Sequence, residues 1–231
     1  MQTTSALYQQ LLADPAHIIE VQAVVAGVTY NDQQDIISCE ITRTLFSQVT
    51  PGIGNCCSAE LDFTFMPSQP VPRMAKIQIF VRVVVGEQVS EWIPQGTFYT
   101  DTRSTGILGE VSIHAYDAML MANQPFFTEG DIGQWPQTMS AIVQKIATAM
   151  GVTIDSRTVL NSSYTMEFPG TDQNMRTVLG YIGAANGGNW IITPAGELRL
   201  IGLADVPAET NLLVTENGDA ILFGEVRLIV G

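Results

Sequence analysis

The sequence has very little positive charge. It holds only ten Lys and Arg against 23 Asp and Glu, a net charge of −13, and charged residues make up just 14% of it. The deficit is spread evenly: residues 1–110 carry five basic and eleven acidic groups, and residues 111–231 carry five and twelve. Without a basic patch to neutralise phosphates, gripping of nucleic acid by charge is excluded as the main activity. Two histidines, His17 and His114, are too few for a His-based zinc centre. The three cysteines, Cys39, Cys56 and Cys57, are an odd and sparse set that makes no disulfide framework. No apolar run approaches the ~20 residues of a membrane-spanning helix, since Arg82 interrupts the longest β-like stretch. The opening MQTTSALYQQLLADPAH has neither a basic start nor a long apolar centre. We therefore expect no secretory signal and manufacture in the cytoplasm.

What is present is alternation. Ala59, Leu61, Phe63 and Phe65 alternate with Glu60, Asp62 and Thr64, which predicts a half-buried strand. Ile37, Cys39, Ile41, Arg43 and Leu45 share one parity in the same way. HIIEVQAVVAGVTY reads as two strands about a turn at Ala26-Gly27, and SALYQQLLA as a short helix ended by Asp14-Pro15. Lys76–Val85, Trp92–Thr102 and Ile107–Ala115 bring the count to about six strands with no helix between them, so the sheet is expected to be antiparallel and barrel-like.

One stretch organises these strands: EWIPQGTFYTDTR, Glu91 to Arg103. Trp92, Pro94 and Gly96 fall on one parity. Pro94 has no ladder donor, which suits an edge or a bulge, and Gly96 permits a bend. The expectation is a bent strand between two long neighbours.

The period changes at Tyr116-Asp117, where Asp117 suits the N-cap of AMLMANQ. Pro136 fits the first turn of a helix with a stripe of Met139, Ile142, Val143, Ile146, Ala147 and Met150, stopped by Gly151. A third helix is expected from Thr171-Asp172 to Asn186-Gly187-Gly188, then a hairpin about Pro-Ala-Gly-Glu. The predicted fold is mainly β with an α+β addition: a barrel-like domain over 1–115, a helix-hairpin domain over 116–204, and a return to β over 205–231.

Candidate chemistry is thin. Cys56-Cys57 in GIGNCCS would need a base for nucleophilic work, with only His17 or His114 to supply it; an ordinary loop pair is the better reading. His114 as a general base is outweighed by a strand residue at a surface or interface. Asn31–Asp35 lacks the central Gly and closing Glu of a calcium loop. Gly52-x-Gly54 precedes a strand, not a helix, so a dinucleotide site is not supported. No catalytic residue, metal site or cofactor is assigned.

The pattern Trp92-x-Pro94-x-Gly96-x-Phe98-Tyr99-x-Asp101, followed by Tyr116-Asp117, resembles the first half of phage and prophage tail hub proteins of Gram-positive hosts. TDQNMRTVLGYIGAANGGNWIITPAGELRLIG, with Gly187-Gly188, resembles a second unit of those hubs. The resemblance implies a structural baseplate-hub or tail-tip protein, assembled as a trimer or ring with other tail proteins around a lumen that DNA traverses without specific binding. It further implies a place in the virion tail after assembly in the bacterial cytoplasm, with no membrane insertion. Such hubs continue into a further barrel-like part, which is expected to be missing here. Two rival readings are a piece of a cell-wall hydrolase, which would work through Cys57 or His114, and a host-surface binding module using Trp135.

Overall fold

A computed structural model describes residues 4–32, 34–46, 52–126 and 135–202, together with two short strands at 222–223 and 226–227. A short helix α1 (Ala6–Leu12), capped by Ser5 Oγ accepting from the Tyr8 amide at 3.0 Å, precedes eight strands. These are β1 (Ile18–Val25), β2 (Val28–Asn31), β3 (Ile36–Thr42), β4 (Glu60–Phe65), β5 (Lys76–Val85), β6 (Gln88–Val89), β7 (Ile93–Thr105) and β8 (Val111–Tyr116). They form one antiparallel, curled sheet in the order β2-β1-β5-β7-β8-β4-β3, with β6 on the end of β5. The mainly-β, barrel-like expectation holds. The path does not close: among the described residues no ladder joins β2 to β3.

Alternation explains the inner face. Ala23, Val25, Leu61, Phe63, Phe65, Ile77, Ile79, Ile113 and Ala115 are all buried. Phe63 stacks on Phe65 at 4.7 Å between ring centres, and Tyr30 meets Phe65 edge-on at 4.8 Å. Ala26 (φ 50°) and Gly27 (φ 88°) make the two-residue β1–β2 turn, whose positive φ angles match the strand twist.

Strand β7 does lie between β5 and β8, and it is bent. Ile79 faces Gly96 while Phe80 faces Pro94, so Gln95 is an inserted residue. This single insertion overturns the simple parity reading. The buried side of β7 is Ile93 before the bulge and Gly96, Phe98 and Thr100 after it. A second irregularity leaves Asp101 outside the β8 ladder. The β3 parity is corrected for the same reason. A register shift between Ile36 and Ser38 turns Ile37 outward, 60% exposed, and the strand stops at Thr42, short of Arg43 and Leu45.

The chain then changes period. Residues Ala118–Asn123 form a 3-10 turn rather than an α-helix. Next come β9 (Gln137–Thr138) paired with β10 (Thr165–Met166), α2 (Met139–Met150), α3 (Met175–Ala185) and the hairpin β11 (Gly188–Ile192)–β12 (Leu198–Gly202). Helix α2 buries the whole predicted stripe and ends at left-handed Gly151. Pro136 is not in its first turn: Thr138 Oγ1 caps the helix by accepting from Ala141, and Pro136 stands ahead of β9 after a cis peptide. Helix α3 begins later than expected because Asn174, not Asp172, accepts from the Thr177 amide at 2.8 Å. A second core, centred on fully buried Trp190, gathers Met119, Ile142, Ile146, Leu179, Ile182 and Leu198. The expected return to β after residue 204 lies outside the described residues, except for β13 (Leu222–Phe223) and β14 (Val226–Arg227), which pair with each other.

Candidate functional site

The seam between the sheet and the helix-hairpin unit is fastened by two buried polar side chains, Asn189 and Asp117. The stretch from Gly52 to Ala59 leaves the sheet and lies along β11. The Gly54 amide donates to Gly188 O at 3.0 Å, Trp190 N to Asn55 O at 2.8 Å, and Cys57 N to Trp190 O at 3.0 Å. Cys56 and Trp190 form a parallel bridge. Asn189, with no exposed surface, locks this arrangement. Its amide nitrogen donates to Leu45 O (2.9 Å) and Gly52 O (2.8 Å), and its oxygen accepts from the Asn55 amide (2.9 Å). The two glycines Gly54 and Gly180 allow backbone-to-backbone approach. A Cβ on Gly54 would stand 2.8 Å from Gly180 O, and one on Gly180 would stand 2.9 Å from Gly54 O. Of the Gly52-x-Gly54 pair, Gly54 is therefore required by the close approach, and Gly52 contributes its carbonyl.

Asp117 is the second fastener. One carboxylate oxygen accepts from Met119 N at 2.9 Å, as an N-cap, and the other from Ala59 N at 2.7 Å. Its own amide donates to Ala59 O at 3.0 Å. Arg176 on α3 crosses the same seam, donating to Ser58 Oγ at 2.8 Å and Met119 O at 3.0 Å. Burial pushes the Asp117 carboxyl up to about 6, opposed by the Ala59 and Met119 amides and by Arg176 and Arg43.

That shift gives a pH prediction. The folded group binds its proton more tightly than the unfolded one. Its stabilising contribution is therefore complete below about pH 4 and disappears as pH rises through about 6, amounting to at most ~3 kcal/mol. Urea unfolding at pH 4.5 and 7.5 isolates it by comparison with Asp117→Asn, which stays neutral. We expect the natural chain to lose more stability than the variant between the two pH values. Equal losses would dismiss the shift.

The thiols are held in the neutral form. Burial raises Cys56 to about 12, against the pull of Arg176, and raises Cys57 as well. A thiolate nucleophile needs the opposite environment. The electrostatic neighbours of the two thiols are Arg176 and Asp117, whereas His114 faces Asp62 (Nδ1–Oδ1 2.8 Å) and Glu60 (3.9 Å) and meets Tyr116 edge-on. His17 Nδ1 lies 2.6 Å from the Asp14 carbonyl. Trp135 rests half-buried and edge-on against Phe168. Among the described residues no three His, Cys, Asp or Glu side chains gather as a metal site, and no helix is long and apolar enough to cross a membrane.

The sequence motif residues do not converge on one site. Trp92 lies under the Arg82 guanidinium at 4.5 Å, and Arg82 pairs with Glu20. Pro94 and Gly96 flank the β7 bulge, and Phe98 fills the sheet core. Tyr99 sits opposite Tyr116 in the ladder and packs on the second core; Asp101 is the exposed second bulge residue. Gly187 takes φ 68°, and a Cβ on Gly188 would stand 2.6 Å from Ile201 O. Of the motif set, Asp117 and the Gly188 carbonyl lie in the seam's hydrogen-bond network. Asn189, Arg176 and Gly180 escaped sequence reasoning. The one available signal was a polar Asn immediately before a core Trp in GGNW.

A curled antiparallel sheet fastened to a helix-hairpin unit defines the class. No family model matches the sequence, and no curated protein matches it. Among solved structures, the 43 kDa tail protein of prophage MuSo2 from Shewanella oneidensis shares the fold with a TM-score of 0.58 at 14% identity, over 84% of this chain and 59% of that one. A tail protein from Neisseria meningitidis MC58 gives 0.54 at 12% identity, over 82% and 53%. The chain thus spans between 53% and 59% of the length of these structures. At such identities the likeness is one of fold.

Proposed function

We propose that this chain is a structural component of a phage or prophage tail, placed at the baseplate hub or tail tip, where it joins the tail tube to the spike or host-recognition apparatus. The observation that carries this reading is the shared fold with two tail proteins, one of them from a prophage, which reaches across both cores of the chain. The neutral thiols support assembly rather than nucleophilic chemistry. The hub position, the Gram-positive host and the trimer or ring rest on the sequence resemblance alone. In this reading residues 1–115 form the hub barrel, 116–204 an inserted α+β domain, and 205–231 a β segment that either returns toward the first domain or belongs to a further barrel. The net charge of −13 suits a lumen to which DNA does not adhere.

Immunogold labelling of induced particles tests the position. Label is expected at one end of the tail, and deletion of the gene should leave tails without a tip. Label on heads, or absence of the chain from purified particles, would refute the assignment.

A further inference from the structure

The β7–β8 hairpin ends in a turn of unusual composition. Strand β7 runs past the core, and its last five residues, Asp101 to Thr105, are exposed. At the tip, Ile107 is 103% and Leu108 84% exposed, between Gly106 and Gly109. Turns of this kind are normally built from small polar residues. This one is braced: Gly106 N donates to Glu110 O at 2.8 Å, Gly109 N to Gly106 O at 3.2 Å, and Leu108 N to the Glu110 carboxylate at 3.0 Å. The bracing holds two branched aliphatic side chains in water. A single exposed hydrophobe is ordinary; an adjacent pair on a fixed tip is not.

The same molecule carries a hollow of matching chemistry. On the seam, a cavity of about 230 Å³ has an apolar wall that includes Leu45, Ile191, Ile192 and Ile201, with Arg43 and Asp117 both on its lining. Apolar cavities of ~150 Å³ accept a benzene-sized guest, so this one is roomy enough for a branched aliphatic side chain. The hollow lies at the Asp117 end of β8 and the tip at its Val111 end, about 20 Å apart at ~3.3 Å per residue. A copy cannot fill its own hollow with a tip anchored that far away. The hollow's two charged groups, Arg43 and Asp117, offset each other, and the Glu110 carboxylate is occupied inside the turn, so the match is one of apolar surface and size.

We propose that the Ile107–Leu108 tip of one copy seats in the Arg43-flanked hollow of a second copy. The contact is heterologous, because tip and hollow are different surfaces, so it propagates until a rotation closes it into a ring. The proposal rests on reading the chain as an assembling component and names the surfaces involved.

Light scattering and sedimentation of the full chain over a wide concentration range test it. The double variant Ile107→Ser/Leu108→Ser alters only exposed loop side chains, and Thr44→Trp fills the mouth of the hollow from an exposed position. Each is expected to weaken self-association at least tenfold, and the tip variant leaves the thermal midpoint in place. Thr44→Trp gives up a hydroxyl contact with the Cys57 thiol, so it is read against Thr44→Val, which loses the same contact without filling the mouth and should associate as the natural chain does. Mixed together, the tip variant and Thr44→Trp should form a one-to-one dimer and nothing larger, because each retains one intact surface. Three results would each overturn the contact: a natural chain that stays monomeric throughout, tip and Thr44→Trp variants that associate as the natural chain does, or an effect of the tip variant without one of Thr44→Trp. A chain that associates this way yet is absent from particles would retire the tail assignment and keep the contact.

Discussion

Asn189→Leu is expected to destabilise the chain by about 3 to 5 kcal/mol. The side chain has no exposed surface and satisfies three backbone groups, the carbonyls of Leu45 and Gly52 and the amide of Asn55. Leucine fills the space but leaves all three without that partner. Each buried group so stranded costs roughly 1 to 3 kcal/mol, reduced where the Gly52–Asn55 stretch can shift toward water. Urea unfolding followed by fluorescence reads the loss, since the neighbouring Trp190 is fully buried. A change below about 1 kcal/mol would show that the seam finds other donors and acceptors, and would remove Asn189 as its lock.

Gly96→Val should produce a loss of similar size in the other core, about 3 kcal/mol. Gly96 takes φ 145°, and a Cβ there would come within 2.8 Å of the Phe98 ring, itself fully buried. Backbone strain of roughly 1 to 3 kcal/mol adds to an overpacking cost of similar size. Gly27 is the control: its φ of 88° is also positive, but nothing lies within 4 Å of its Cβ direction. Gly27→Ala should therefore cost only about 1 kcal/mol. Comparable losses at the two positions would show that the Gly96 penalty is backbone strain alone and that the Phe98 ring yields. Tracking Asn189→Leu and Gly96→Val with one near-ultraviolet signal and one fluorescence signal also reveals whether the two cores unfold together.

What could be read in advance follows from how local the cause is. The faces of β4 and β8 are local alternation, and α2 is a local stripe with its stop glycine, so these were legible. The bent strand was foreseeable from Pro94 and Gly96, but the position of the inserted residue was not. Gln95 is set by its fit against β5, where Arg43 from beyond β3 donates to its carbonyl. Ile37 misled for the same reason: a register shift against β4 turned it outward. Pro136 looked like a helix start, yet the cap at Thr138 and the pairing of β9 with β10 decided the boundary. The seam was the least legible part. Asn189 gives no periodic signal, because its partners lie 134 to 144 residues earlier in the chain.

That separation has a consequence for synthesis. Asn55 and Asn189 are 134 residues apart, and ribosomes extend chains at roughly 5 to 20 residues per second. The Gly52–Ala59 ribbon therefore emerges some 7 to 27 s before the surface it will lie on has been translated. During that interval its amides and carbonyls have only water or another chain for company. The sheet can close around Phe63 and Phe65 without it, but the Trp190 core has to capture a strand made long before. Ribosome pausing between Ala59 and Trp190 should thus lengthen the window for mispairing between nascent chains, whereas pausing after Gly202 should not.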